Sequence, residues 1–206
     1  MTGPELTHLL DAALERLAGS ADELRDLDAA LGDGDLGITV GKGCDAVRAK
    51  LAELSDPSPA DVLRTAGTAF ATANPSTLAA LVGGGLLASA KALADVDELA
   101  APDVARLGRA AAESIAARGK AEPGDKTILD ALLPSLDALE RAGGDRHAVV
   151  DAMVEAARSG VEDTAARQSQ RGRASWLGER SVGKPDPGAT AYLRFLECVA
   201  AELATP

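Results

Sequence analysis

The chain has 206 residues, with 21 Lys and Arg against 32 Asp and Glu, which gives a formal net charge of −11. This balance argues against a nucleic-acid partner, because affinity for a polyanion depends on Lys and Arg that neutralise phosphates, and it equally disfavours an anionic membrane surface. Aromatic residues make up only 2%, which argues against platforms for base stacking. An all-β sandwich is not expected, because Ala, Leu and Glu dominate where Val, Thr and Tyr would be wanted. The length predicts a single domain, residues 1–206, with a sizeable core.

Apolar residues recur at helical spacing along the chain, and no segment shows convincing strand alternation. Prolines that follow a capping residue mark several helix starts, with Asn74 before Pro75 and Asp186 before Pro187 as predicted N-caps. Ser20 and Glu23 fit a capping box. The pattern predicts an all-α, up-and-down antiparallel bundle of eight or nine helices. The helices are predicted at residues 4–18, 20–31, 36–54, 59–73, 75–94, 101–118, 127–142, 145–169 and 187–203.

The N-terminus and the cysteines bear on the compartment. Residues 1–19 mix acidic residues with leucines, which predicts an amphipathic helix rather than a signal peptide. Cys44 and Cys198 form no CxxC pair, so neither a disulfide framework nor a zinc site is expected. The longest uncharged apolar run, residues 78–90, is too short to span a bilayer. These features predict a cytoplasmic protein with no membrane segment.

Three carboxylates fall close together near the third predicted helix. Asp28 lies near the end of one helix, and Asp33 and Asp35 follow in a Gly-rich turn. Three converging carboxylates repel one another unless a cation lies between them, and a hard divalent ion such as Mg²⁺ suits an all-oxygen site. An EF-hand is excluded, because Cys44 stands where that loop needs its bidentate Glu. The alternative is a turn in which the Asp side chains cap backbone amides.

Residues 119–127, GKAEPGDKT, superficially resemble a P-loop, but Asp125 separates Gly124 from Lys126 and no strand precedes them. A capped loop with Asp125 as N-cap is favoured, although a helix N-terminus there would also suit an anion.

A third segment concentrates positive charge. Five basic residues lie within residues 167–184 of an acidic chain, which indicates a phosphate partner or, equally, ion pairs with the protein's own carboxylates. They are Arg167, Arg171, Arg173, Arg180 and Lys184.

Together these three segments resemble the nucleotide-binding subunit of dihydroxyacetone kinase, which also occurs as the C-terminal domain of single-chain kinases. LDAALGDGDLG resembles the family's metal loop, GKAEPGDKTILDALLP its central segment, and GRASWLGERSVGKPDPGAT its C-terminal signature. The motifs occur in the family's order, and the resemblance covers almost the whole chain.

The resemblance implies an eight-helix antiparallel barrel with ATP or ADP at one open end. It implies that Asp28, Asp33 and Asp35 hold two Mg²⁺ ions that bridge the nucleotide phosphates, and that no catalytic residue belongs to this chain. The positions that it places against the nucleotide are Leu36, Gly37, Ile38, Thr39, Ser76, Thr77, Leu78, Gly119, Ile128, Arg173, Asp186, Pro187 and Gly188.

This sequence also departs from the family pattern. Leu36 and Lys184 stand where the family usually or often has His, and Thr39 stands where it has Asn. The second phosphate loop, normally a Gly-Gly-x-Ser-Gly run, is replaced by residues 75–79. One interpretation is a diverged member with altered affinity, and the other is a subfamily that serves a larger, four-carbon ketose.

The sequence thus predicts a kinase subunit that presents a Mg²⁺–nucleotide to a small ketose. The resemblance implies that a separate sugar-binding subunit holds the ketose, because His8 and His147 are predicted surface residues and no other group captures a ketone. The alternative is a nucleotide-loaded module that signals to a regulator or takes phosphate from a phosphocarrier of the phosphotransferase system. A plain helical scaffold would leave the aspartates and the C-terminal segment unexplained.

Overall fold

Helices provide the regular structure of residues 1–204, the part of the chain that the computed structural model describes. Within this range no strand forms, and Thr2 and Glu98 make one isolated bridge. The prediction of an all-α fold is therefore confirmed. The helices are α1 (Gly3–Ala18), α2 (Ala21–Ala29), α3 (Leu36–Leu51), α4 (Pro59–Ala73), α5 (Thr77–Ala92), α6 (Ala101–Gly119), α7 (Leu129–Arg141), α8 (Arg146–Ala165), the 3₁₀-helix Arg173–Ser181 and α9 (Pro187–Leu203).

Caps define several of the helix starts. The Thr2 and Ser58 hydroxyls accept amide hydrogen bonds in complete capping boxes at α1 and α4, and proline follows each of them. At α9 the Asp186 carboxylate accepts a hydrogen bond from Ala189 N and Pro187 follows, so Asp186 is the N-cap that the sequence predicts. These caps satisfy amides that have no partner within the helix, and so fix the residue at which each helix begins.

Other predicted boundaries are wrong. α5 begins at Thr77 rather than at residue 75, because Asn74 is extended at the end of α4 and its side chain bonds elsewhere. Ser20 makes no side-chain cap at α2, so the predicted capping box is absent. The long C-terminal connection, predicted as a loop, contains the 3₁₀-helix, whose first turn is closed by the hydrogen bond from Ser175 N to Gly172 O.

Eight of the nine α-helices in residues 1–204 contact one another in a closed ring. α1 packs on α3, each helix from α3 to α8 packs on the next, and α9 returns to α1. The short α2 packs on α3 and α9. Gly37 permits this contact, because a Cβ there would overlap the carbonyl oxygen of Ala21. The α2–α3 connection lies beside the segment that leads into α9, because Lys184 Nζ lies 3.4 Å from Ala30 O.

Two hydrophobic clusters form the core. The first is formed mainly by α1 to α5 and contains Leu24, Leu51 and Val62, and the second is formed by α6 to α9 and contains Leu129 and Ala157. Cys44 is buried in the first cluster and Cys198 packs against it, both as free thiols. No helix within residues 1–204 is sufficiently long and apolar to cross a bilayer.

Candidate metal and nucleotide site

The three predicted metal ligands converge at the connection between α2 and α3. Asp28 lies in the last turn of α2, Asp33 lies in the turn, and Asp35 occupies the N-cap position of α3. Each offers a carboxylate oxygen, and these oxygens lie within 4.8 Å of one another. We refer to Asp28, Asp33 and Asp35 as the aspartate cluster. Its all-oxygen donor set suits Mg²⁺.

Backbone hydrogen bonds hold this connection in shape. The Asp28 carbonyl accepts from Leu31 N at 2.9 Å and from Gly32 N at 2.6 Å, and Gly34 follows with a positive φ of 74°. The Asp28 side chain accepts from Leu36 N at 3.3 Å, whereas Asp35 makes no side-chain bond to α3. Amide capping therefore accounts for one carboxylate of the aspartate cluster and leaves the others available.

The electrostatics of the cluster favour a cation. Burial raises the pKa of Asp28 above its ordinary value, and the charges of Asp35 and Asp33 raise it further. Like charges at this distance disfavour full ionisation unless a positive group compensates them. A divalent ion would supply that compensation.

A positive side chain of the C-terminal segment reaches the cluster. Arg173, the first residue of the 3₁₀-helix, forms an ion pair with Asp33, and its Nη1 lies 3.7 Å from Asp35 Oδ2. The structure thus brings the first and third motifs together, although they lie about 140 residues apart. The predicted contact of Arg173 with nucleotide remains a prediction.

The first turn of α3 places its four candidate residues differently. Leu36 and Gly37 are buried, Ile38 is exposed, and Thr39 is buried. The first hydrogen bond of the helix runs from Thr39 N to Asp35 O, so that the amides of Gly37 and Ile38 precede it and have no acceptor within the helix. Those amides, rather than the side chains, are what this turn offers to an anion.

The start of α5 lies beside the start of α3. Asn74 Nδ2 donates to Thr39 Oγ1 at 2.9 Å, and no sequence pattern predicts this contact between side chains. Ser76 is the N-cap residue but makes no side-chain cap, Thr77 is exposed, and Leu78 packs against the first core cluster. The Ser76 and Thr77 hydroxyls are therefore not committed to capping α5.

The remaining aliphatic candidates lie at two further helix ends. Gly119 ends α6, where a Cβ would lie 3.7 Å from Leu81 Cδ1. Ile128 is the N-cap residue of α7, and a Cβ on Gly188 would lie 3.7 Å from Ile128 Cβ. The starts of α7 and α9 are thus in contact.

Asp186 and Pro187 are buried at the start of α9. The Asp186 carboxylate accepts from Ala189 N at 2.7 Å, and its own amide donates to Thr164 Oγ1 at 2.8 Å. Burial raises the pKa of Asp186 to about 7. This side chain caps α9, and its predicted contact with the nucleotide remains a prediction.

Lys126 is the residue that sequence reasoning undervalued. Its side chain is buried, and its Nζ donates to the carbonyls of Arg167, Ser181 and Lys184 at 3.1, 2.7 and 2.6 Å. Burial lowers its pKa. The lysine of the GDKT motif therefore holds both ends of the segment that carries Arg173. The sequence does show a lysine next to Asp125 in a Gly-rich loop. It does not show which carbonyls this lysine binds, because they lie 41 to 58 residues away.

Nearby carboxylates bind two more of the basic residues. Asp130 is 4% exposed and accepts from Gly124 N, from Thr127 N and, at 2.8 Å, from Arg167 Nη1. Asp125 accepts from Glu122 N and from Arg171 Nε rather than capping α7. Three of the five basic residues within residues 167–184 therefore form ion pairs with the protein's own carboxylates. They are Arg167, Arg171 and Arg173. Lys184 Nζ lies 3.4 Å from Ala30 O.

The sequence of this chain is similar to those of known proteins. The family model described as the DAK2 domain matches residues 30–201. The chain is 31% identical over 183 residues to the ADP-binding subunit DhaL of the PEP-dependent dihydroxyacetone kinase of Escherichia coli K12, with 87% of each chain covered. It is 39% identical over 199 residues to D-erythrulose kinase of Mycolicibacterium smegmatis, and this match covers 92% of the chain but 34% of that kinase.

A solved structure shares the fold. The dihydroxyacetone kinase of C. freundii, in complex with AMP-PNP and Mg²⁺, superposes with a TM-score of 0.77 at 22% identity and covers 98% of this chain and 34% of that one. The family match and the alignment with DhaL each extend over most of the chain. The chain therefore belongs to the DAK2 domain family and is homologous to the nucleotide-binding subunits of dihydroxyacetone kinases.

Proposed function

We propose that this chain binds a Mg²⁺–adenine nucleotide and presents its phosphate to a small ketose held by a partner kinase subunit. The observation that carries the proposal is the aspartate cluster, whose carboxylate oxygens lie within 4.8 Å of one another. Support comes from the E. coli relative, which is an ADP-binding subunit, and from the C. freundii kinase, which was solved with AMP-PNP and Mg²⁺.

The roles of the residues follow from their positions. Asp28, Asp33 and Asp35 hold two Mg²⁺ ions, which neutralise phosphate charge when bound. The first-turn amides of α3 and α5 face the phosphates, with the Ser76 and Thr77 hydroxyls beside them. Phosphoryl transfer depends mainly on positioning and charge neutralisation, so this arrangement requires no nucleophile from the chain.

The fold supports one open end for the nucleotide. Contacts join the starts of α3 and α5 through Thr39 and Asn74, and the starts of α7 and α9 through Ile128 and Gly188. Because alternate members of the ring begin at one end, neighbours in the ring run antiparallel, as in an eight-helix barrel. In this arrangement Gly119, Ile128, Asp186, Pro187 and Gly188 border the adenine side.

A partner subunit supplies the ketose site. His8 and His147 are both exposed, on α1 and at the start of α8, and neither belongs to the aspartate cluster. The E. coli relative is one subunit of a larger kinase, and this chain spans about a third of the length of D-erythrulose kinase. Alone, the chain is expected to be inactive or to hydrolyse nucleotide slowly.

The identity of the ketose and of the phosphate donor can be narrowed. The similarity to D-erythrulose kinase, together with the replaced loop 75–79, favours a four-carbon ketose. The similarity to PEP-dependent subunits favours a second candidate, in which bound ADP is rephosphorylated by a phosphocarrier of the phosphotransferase system.

One set of measurements tests these proposals. Calorimetry with ADP is expected to show binding that requires Mg²⁺ and is lost with EDTA. The chain, its sugar-binding partner and Mg²⁺ are then mixed with ATP, or with PEP and phosphocarrier proteins, and product from dihydroxyacetone and erythrulose is measured. Absence of Mg²⁺-dependent nucleotide binding would refute the proposed function, and product with the phosphocarrier alone would establish the second candidate.

A further inference from the structure

Arg173 lies against two of the three carboxylates of the aspartate cluster. Its guanidinium pairs with Asp33 and approaches Asp35 to 3.7 Å. Asp33 and Asp35 are the two members whose side chains are not committed to an amide of α3. Arg173 therefore interacts with the carboxylates that are most available to a cation.

The guanidinium and a metal ion cannot use these oxygens together. Arginine stays protonated at any relevant pH, so it cannot bind beside a divalent ion without electrostatic repulsion. The ion pair is also half exposed, with 56% of the Arg173 side chain and 48% of the Asp33 side chain accessible. Pairs of this kind contribute only about 0.2–1 kcal/mol, so a divalent ion displaces the guanidinium readily.

The segment that carries Arg173 is fixed on both sides. Lys126 bonds to the carbonyls of Arg167 before it and of Ser181 after it, and Arg171 pairs with Asp125. Gly172 and Gly178, both at positive φ, flank the turn that contains Arg173. A displaced guanidinium therefore stays beside the aspartate cluster and remains within reach of a phosphate held there.

We propose that Arg173 is a positioning residue that exchanges partners, neutralising Asp33 and Asp35 in the absence of Mg²⁺ and contacting the nucleotide phosphate once Mg²⁺ has displaced it. This inference rests on the proposed Mg²⁺–nucleotide function. It makes metal and nucleotide binding mutually supportive, because a phosphate provides the displaced guanidinium with a new anionic partner.

Mn²⁺ binding to the nucleotide-free chain provides a readout that does not depend on activity. Arg173→Gln removes the competing charge, and it is expected to bind Mn²⁺ roughly two- to fivefold more tightly than the wild type. The same variant is expected to bind ADP more weakly in the presence of Mg²⁺. Arg180→Gln is the matched control, because Arg180 is exposed on the same 3₁₀-helix and forms no ion pair within residues 1–204. This variant is expected to change neither the affinity for Mn²⁺ nor the affinity for ADP.

Trp176 gives a second readout, since it is the only tryptophan of the chain, is 83% exposed and lies three residues after Arg173. Its emission intensity is expected to change when Mg²⁺ is added to the wild type, because the nearby guanidinium changes partners, and to stay constant in Arg173→Gln. Unchanged or weaker Mn²⁺ binding by Arg173→Gln would overturn the exchange while leaving the proposed function intact. Absence of any Mn²⁺ or Mg²⁺–ADP binding by the wild type would overturn both.

Discussion

Two charged regions of the molecule differ in how deeply their charged groups are buried and in how completely those groups are paired. The buried charge centre, Lys126 with Asp130, is enclosed, and its hydrogen-bonding groups bond to protein atoms. The aspartate cluster lies at the surface or half-buried, and carries three like charges against one exposed arginine. A buried charged group whose hydrogen bonds are all made holds the fold together. An exposed cluster of like charges with too little opposite charge nearby can still bind a ligand.

The contact of Arg173 with the aspartate cluster depends on the buried charge centre. The buried charge centre fixes the ends of the C-terminal segment through Lys126, and this segment delivers Arg173 to the aspartate cluster. The free energy of unfolding and the affinity for ligand are therefore expected to respond to different substitutions.

The largest effect is expected from Lys126→Met. It leaves the carbonyls of Arg167, Ser181 and Lys184 without their donor, and the free energy of unfolding is expected to fall by about 3 kcal/mol. Urea denaturation measures this change. Lys120→Met is the control, because Lys120 is an exposed lysine of the same motif, and an equal loss there would show that the buried charge centre contributes nothing special.

Asp186→Asn tests the neighbouring buried carboxyl through pH. The folded-state pKa of about 7 lies above the unfolded value near 3.9, so the folded wild type binds more protons, and its stability falls as pH rises between these values. Asn does not titrate. The variant is therefore expected to gain roughly 3 kcal/mol relative to the wild type between pH 4.5 and pH 7.5, measured by urea unfolding.

The control for this pH dependence is Asp145→Asn. Asp145 caps α8 at the surface, and a hydrogen bond from Ala148 N lowers its pKa. Its titration therefore lies below pH 4, and the stability difference between this variant and the wild type is expected to stay nearly constant from pH 4.5 to pH 7.5. Similar slopes for both variants would contradict the assignment of the pH effect to Asp186.

Asp33→Asn is expected to alter the aspartate cluster without harming the fold. Removal of one ligand is expected to weaken Mg²⁺-dependent ADP binding at least about tenfold, equal to about 1.4 kcal/mol, while urea denaturation stays unchanged or improves slightly as repulsion is relieved. Asp45→Asn, at an exposed acidic residue of α3, serves as the control. Normal nucleotide binding by Asp33→Asn would show that the metal assignment is wrong.

The smallest effect on the free energy of unfolding is expected from substitution of two arginines that lie in one segment. Arg167 pairs with the buried Asp130, and Arg171 pairs with the more accessible Asp125. Arg167→Gln is expected to lower the free energy of unfolding by about 1 kcal/mol, and Arg171→Gln by less than about 0.5 kcal/mol. Equal losses in urea denaturation would mean that burial of the carboxylate partner does not decide the strength of these pairs.

The sequence by itself determined the helical content and most of the helix positions, because apolar periodicity, first-turn prolines and capping residues are local signals. Residues 59–73 and 187–203 match their predicted helices at both ends. The proximity of Asp28, Asp33 and Asp35 was also readable, since eight residues span all three. The start of α5 was misplaced because the Asn74 side chain bonds to Thr39, 35 residues away in the sequence.

Only the tertiary structure decided which distant charges meet. The pairing of Arg173 with Asp33 and the three carbonyls around Lys126 join residues 41 to 140 positions apart, and no spacing rule links them. The packing of the helices in a closed ring brings these distant residues together. A sequence records which charges exist, but whether a charge is buried and satisfied or left open for a ligand depends on what the rest of the chain packs against it.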